Sequence, residues 1–296
     1  MTASPPGFTF IGVPIDSVGR SGGSERGPAK LRELGLAELC DSDAGDPVVR
    51  IRGEERDSVT GIVGSADVLR TTAAIRQATA ATIGAGERPL LAGGCCAELP
   101  GALAGARDVL GRIGVAYLDG HLDLYDGVTS PTGEAADMPL SVTLGWGPAA
   151  WVTACGGASA RPQDVVPIGH RDPDELPTFE RLTPKLGDGF RHMSRDGVKA
   201  DGPAAVGERV ASSFAAGAGR FWLHLDVDVL DEDVFPATDY LMPDGLDMDE
   251  LVALMRPFGS SAALAGVSIG CYNPEKDPGD ACGHALVDAF NSVLGS

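Results

Sequence analysis

The amino-acid sequence predicts an α/β protein whose mostly parallel sheet lies between layers of helix. Three observations predict it. Six short apolar runs are continuous rather than alternating, the pattern of strands buried on both faces. Helical patterns separate them, and strand–helix alternation argues for parallel pairing. The 296 residues are 43% hydrophobic and 22% charged, a globular balance in which a single domain over 1–296 buries roughly 75% of its unfolded surface.

In order along the chain, the run FTFIGVP predicts a strand at 8–14 and is followed by a helix at 29–39 and a longer one at 66–84. Strands at 89–93 and 114–119 come next, the second running directly into an acidic loop. A short helix at 140–145 precedes the strand at 165–169, and a helix at 202–216 precedes the apolar strand at 221–228. The helix at 248–255 opens with Asp247, Asp249 and Glu250, acids that favour the positive end of a helix. A strand at 263–269 and a helix at 282–294 close the chain.

Composition excludes several function classes. With 42 acidic against 23 basic residues the formal charge is −19, which repels nucleic-acid phosphates and anionic lipid. No run approaches the ~20 apolar residues of a membrane span, and no repeat of about 20–50 residues is present. Residues 1–7 lack a basic region followed by an apolar run, so no export signal is expected. The six cysteines form no CxxC or regular framework and read as reduced thiols in a cytoplasmic protein.

Ligands in open α/β sheets collect outside the carboxyl ends of the strands. Four expected strand ends carry potential metal ligands: GGCCAE at 93–98, DGHLD at 119–123, HLDVDVLD at 224–231 and CYNP at 271–274. Asp119, His121 and Asp123 offer two carboxylates and an imidazole, donors suited to Mn²⁺, Fe²⁺ or Zn²⁺ rather than Ca²⁺. Asp226 and Asp228 add bridging carboxylates, so two ions ~3.5–4 Å apart can activate one water between them. An isolated acid-rich loop is ordinarily a solvated turn. Asp226 and Asp228, however, extend an apolar strand, where unpaired carboxylates are costly to bury and a metal is the simplest compensation.

These motifs resemble the ureohydrolase family, which includes arginase, agmatinase and guanidino-acid hydrolases. The likeness runs through IGVP at 11–14, GGSERGPAKLR at 22–32, IGHRDPDE at 168–175, and DVDVLD at 226–231 through PDGL at 243–246. It implies a three-layer α/β/α arginase-like domain with an eight-stranded, mostly parallel sheet, assembled as a trimer or hexamer. It also implies that Asp119 and Asp226 bridge two metals, that His121 and Asp228 serve one ion, and that Asp123 serves the other. The implied cofactor is one or two divalent ions, manganese first, with iron or zinc as alternatives.

Three departures alter that pattern. Cys96 stands where GGDHS in the family supplies a ligand histidine, so a thiolate for Zn²⁺ or Fe²⁺ competes with the reading that Cys95 and Cys96 are small buried residues. Ala136 occupies the place of a proton-shuttling histidine. Cys271 replaces a glutamate that pairs with a guanidinium, a bidentate contact that a thiol cannot make. His224, two residues before Asp226, stands where serine is usual; it replaces the ligand, replaces the shuttle, or is a packed histidine supporting the ligands. Tyr125 and Asp174 match positions that contact the far end of the substrate, and His170 and His192 read as structural or surface residues.

The first functional expectation is a divalent-metal-dependent hydrolase of a C–N bond in a small amidine, ureido or modified guanidino compound other than plain arginine or agmatine. The second is an arginase-fold enzyme repurposed for cyclisation, isomerisation or acyl chemistry, in which the metal, or Cys96 as nucleophile, does something other than release urea. The third is a catalytically silent binding subunit. Each binds a small molecule in a homo-oligomer, with neither nucleic acid nor membrane as partner.

Overall fold

The computed structural model describes residues 6–17, 22–47 and 50–295. Residues 1–5, on which part of the export-signal expectation rests, lie outside the described residues. Eight strands form one sheet: β1 (Phe8–Val13), β2 (Ser42–Asp43), β3 (Arg88–Gly93), β4 (Gly114–Leu118), β5 (Val165–His170), β6 (Met193–Ser194), β7 (Phe221–Asp226) and β8 (Leu264–Gly270). Their order is β2-β1-β3-β8-β7-β4-β5-β6, and every pair is parallel. The shortest strands stand at the two edges, where long unpaired ladders invite aggregation.

Helices cover both faces, giving the expected three layers. On one face lie α1 (Gly27–Glu33), α7 (Arg195–Asp201), α8 (Pro203–Ala216), α9 (Met248–Gly259) and α10 (Ala281–Leu294). The other face carries α2 (Ser65–Gly84), α3 (Leu99–Leu110), α4 (Pro139–Thr143), α5 (Ala149–Ala154) and α6 (Leu176–Leu186). Strand side chains alternate between these two cores. Ala116, Leu118, Leu223 and Leu225 enter the first, while Val115, Tyr117 and Trp222 enter the second. Both faces are apolar, which is why the sequence runs are continuous.

The differences from expectation have local causes. The helix expected at 29–39 stops at α1, because Gly35 takes a left-handed conformation (φ 104°) before a 3-10 turn, Leu36–Leu39. The helix α3 was not expected, because GGCCAELPG reads as a loop; its proline falls at the first turn, where a missing N–H costs nothing. The strand expected to reach 228 ends at Asp226, whose carboxylate accepts from Asp228 N and turns Val227–Val229 into a 3-10 helix. Among the described residues no helix is long and apolar enough to cross a membrane.

His170 and His192, read above as structural or surface residues, face each other with Nε2 and Nδ1 2.9 Å apart, and His192 also meets Phe179 edge-on. Burial, then His192, holds His170 down to about 4. Between pH 6.5 and 4 the unfolded chain therefore binds a proton that the folded chain excludes. Stability from this pair is full above 6.5 and declines as the pH falls toward 4. His170→Gln is expected to flatten that decline in urea midpoints measured across the window; parallel curves for parent and variant would assign the decline elsewhere.

Candidate metal centre

The four strand ends with potential metal ligands belong to four neighbouring strands, β3, β8, β7 and β4. Because all run parallel, their carboxyl ends share one edge of the sheet, and residues far apart in sequence meet there. A cavity of about 720 Å³ opens over this edge. Its walls include His121, Asp123, Asp226, Asp228 and Cys271.

Asp119, His121 and Asp228 form a group whose ligand atoms all lie within 4.8 Å of one another. His121 Nδ1 is 3.1 Å from Asp228 Oδ2 and 3.4 Å from Asp119 Oδ1. Backbone amides hold the carboxylates in place. Gly120 N donates to Asp228 Oδ1 at 3.0 Å, His121 N to Asp119 Oδ1 at 2.6 Å, and Asp228 N to Asp226 Oδ1 at 2.9 Å. Position 120 admits only glycine, since a Cβ there would stand 2.9 Å from the Asp228 carbonyl oxygen. Arg171 fixes the turn after β7 from outside, donating to the carbonyls of Asp228, Leu230, Met242 and Pro243.

The electrostatics are those of anionic donors gathered around a place for a cation. Burial, then Asp228, raises Asp119 to about 6, and burial with Asp228 and Asp119 raises Asp226 well above the carboxylate range. Burial opposes it, yet the carboxylates of Asp228 and Asp119 hold His121 well above its ordinary value. Carboxylates so close cannot all ionise in a desolvated site without a compensating positive charge. The oxygen and nitrogen donors present therefore fit a divalent ion.

Asp123 stands apart from this group. Its carboxylate accepts from the Tyr117 hydroxyl, and its backbone is left-handed (φ 49°). Glu175 secures that conformation by accepting from Leu122 N and, at 2.9 Å, from Asp123 N. Burial raises the Glu175 carboxyl to about 7, with His121 opposing.

A second set of donors surrounds Cys96, which is 1% exposed and lies beneath the cavity wall. Its Sγ is 2.6 Å from Asp226 Oδ2, 3.8 Å from Cys271 Sγ and 3.2 Å from His224 Nε2. His224 Nδ1 is 2.7 Å from Ser268 Oγ, and the His224 ring stacks on Tyr117 with centroids 5.0 Å apart. Burial holds His224 down to about 3, so its imidazole is neutral. Cys271 takes φ 68°, uncommon for a residue with a side chain. Tyr125 and Asp174 both line the cavity, where the Tyr125 hydroxyl donates to the Asp174 carbonyl at 3.2 Å; Ala136 lines it too.

Sequence reasoning singled out the candidate ligands but gave no role to Tyr117, Arg171, Glu175, Trp222 or Ser268. Parity on the strands was the available signal for Tyr117, which precedes Asp119 by two residues as His224 precedes Asp226. Glu98 was also missed as anything but part of a ligand-bearing segment. Both its carboxyl oxygens are buried without a hydrogen-bond partner, and burial with Asp226 nearby keeps its pKa well above normal.

Comparison with known proteins adds an independent line. The model of the arginase family matches residues 6–295. Over 295 residues the chain is 29% identical to an arginase of Bacillus subtilis (strain 168), covering 97% of each chain. Over 298 residues it is 27% identical to an arginase of Bacillus caldovelox, covering 97% of this chain and 98% of the relative. The native structure of the Bacillus caldovelox arginase at pH 5.6 superimposes with a TM-score of 0.89 at 25% identity, covering 99% of both chains.

Proposed function

The chain belongs to the arginase family, and from that membership we propose that it is a divalent-metal-dependent hydrolase of a C–N bond in a small amidine, ureido or modified guanidino compound. The observation that carries this reading is the convergence of Asp119, His121 and Asp228 beside Asp226 at the cavity floor. Those four residues would hold the ion, for which manganese suits the oxygen and nitrogen donors. Bound there, a divalent ion supplies Lewis acidity and lowers the pKa of water toward neutrality. The chain's own residues position the substrate and move its protons. Ala136 on the cavity wall carries no proton, so delivery to the leaving amine falls to ionisable neighbours on the wall: Glu134, Asp137 and Tyr240, whose hydroxyl donates to Glu134.

Charge narrows the substrate class. Ten of the cavity's lining residues bear carboxylates, and no lysine or arginine is among the described residues that line it. Such a wall attracts an ammonium-bearing tail and repels a free carboxylate. Cys271 offers no bidentate charged partner, which argues against plain arginine or agmatine as the preferred substrate. The same reading makes the protein a cytoplasmic homo-oligomer, trimer or hexamer, acting as a single domain over 1–296. A repurposed enzyme using Cys96 as nucleophile is less well supported, because that sulfur does not line the cavity.

The test is urea or ammonia release from chelated and metal-reloaded protein across amidines, ureido compounds, hydroxylated guanidines, arginine and agmatine. Release should require the metal, and ammonium-tailed amidines or ureido compounds should exceed arginine. Metal-loaded protein that releases nothing from any of them would overturn the proposal.

A further inference from the structure

Two of the thiols at the site are spaced for one ion. Cys96 follows β3 and Cys271 follows β8, adjacent strands of the sheet, and their sulfurs are 3.8 Å apart. Two sulfurs held at ~2.3 Å by one tetrahedral zinc ion stand about 3.8 Å apart, because a tetrahedral edge is roughly 1.6 times the bond length. Asp226 Oδ2 completes a trio whose donor atoms all lie within 4.8 Å of one another. Asp226, placed above beside the group Asp119, His121 and Asp228, is the one residue that would serve both sites, its Oδ1 accepting from Asp228 N and its Oδ2 facing Cys96.

We infer that Cys96, Cys271 and Asp226 form a zinc site of a chemical kind distinct from the oxygen and nitrogen site beside it, with a fourth position open to the cavity. Cys271 and Asp226 both line that cavity, which gives the open position its access to substrate. Three protein ligands and one open position are the pattern of catalytic rather than structural zinc. Binding displaces the Cys96 and Cys271 protons to solvent, and the 2.6 Å contact between Cys96 Sγ and Asp226 Oδ2 lengthens as the ion takes the place of the shared proton. The left-handed backbone at Cys271 is the strained conformation that places this sulfur opposite Cys96.

His224 has a defined place in this arrangement. Trp222 Nε1 can only donate, and it does so to Ser268 Oγ at 2.9 Å. The Ser268 hydroxyl keeps its own proton to donate, and in the proposed zinc site that proton is assigned to His224 Nδ1, 2.7 Å away. The His224 proton then resides on Nε2, 3.2 Å from Cys96 Sγ, where it stabilises a thiolate. In this arrangement His224 acts as a positioning residue for the Cys96 sulfur, while its ring also lies among the donor atoms of Cys96 and Asp119. Such supporting partners affect metal affinity by about 10–100-fold.

The inference rests on the hydrolase reading for its reaction but not for its ligands, so the two can fail separately. Full-length protein, chelated and then loaded with Co²⁺ as a spectroscopic stand-in for zinc, should show a near-ultraviolet sulfur-to-cobalt charge-transfer band. The band should vanish in Cys271→Ser and in Cys96→Ser, persist in Cys40→Ser and His121→Ala, and persist in His224→Ala with about 10–100-fold weaker cobalt binding. Zn²⁺ should also protect two thiols of the parent protein from a thiol reagent. Cobalt absorption without a sulfur band in the parent, or a band that survives Cys271→Ser, overturns the zinc site and leaves the hydrolase proposal standing. A sulfur band in protein that hydrolyses nothing does the reverse.

Discussion

Asp228→Asn is expected to lower kcat/KM by about 10²–10³-fold while leaving the fold intact, the scale of losing one preorganised electrostatic partner. The two side chains have nearly the same shape. An asparagine oxygen can still accept from Gly120 N, where Asp228 Oδ1 now sits at 3.0 Å, so the β4–β7 contact survives. What disappears is a negative charge beside His121 Nδ1, 3.1 Å away, and with it a donor to the ion. The thermodynamic signature should follow the kinetic one. Metal stabilises a folded protein according to how far its concentration exceeds Kd, so a 10–100-fold weaker site forfeits about 1.4–2.7 kcal/mol of that stabilisation. Thermal unfolding with and without Mn²⁺ reads this directly. A variant that keeps the parent's turnover and the parent's metal-induced shift would show that Asp228 holds no ion.

Much of this site is legible in the sequence because parallel strands place their carboxyl ends together. Once DGHLD and DVDVLD are seen to terminate apolar runs, convergence needs no knowledge of which strands are neighbours. The strand order, with β3, β8, β7 and β4 side by side, has no local signature and emerged only from the structure. The edge strands β2 and β6 span two residues each, too few for periodicity to register. The short helices α5, α6 and α7 escaped for a related reason, since six to eleven residues around glycines and prolines present little regular apolar pattern. The role of His224 was underdetermined because alternation gives a direction but not a partner. Ser268, from another strand, supplies the Nδ1 partner that the sequence alone does not reveal.

The second large effect is expected from Glu175→Ala, although Glu175 touches no ligand atom. Its carboxylate accepts from Leu122 N and Asp123 N, both in the loop that carries the proposed ligands after β4. Leu122 is 1% and Asp123 7% exposed, so truncation strands two buried amides. At about 1–3 kcal/mol for each orphaned donor, the loss is about 2–6 kcal/mol, a large share of the 5–15 kcal/mol that holds a typical domain together. Activity should suffer as well, because Asp123 sits at φ 49° and the freed loop would relax toward ordinary backbone, carrying Asp119 and His121 with it. Glu175→Gln retains one acceptor oxygen and should lose roughly half as much, since its amide nitrogen cannot accept. Urea midpoints and metal titrations of the two variants should therefore rank parent, glutamine, alanine. If alanine unfolds with the parent and binds metal as tightly, the 119–123 loop holds its shape without Glu175 and the ligand geometry has another source.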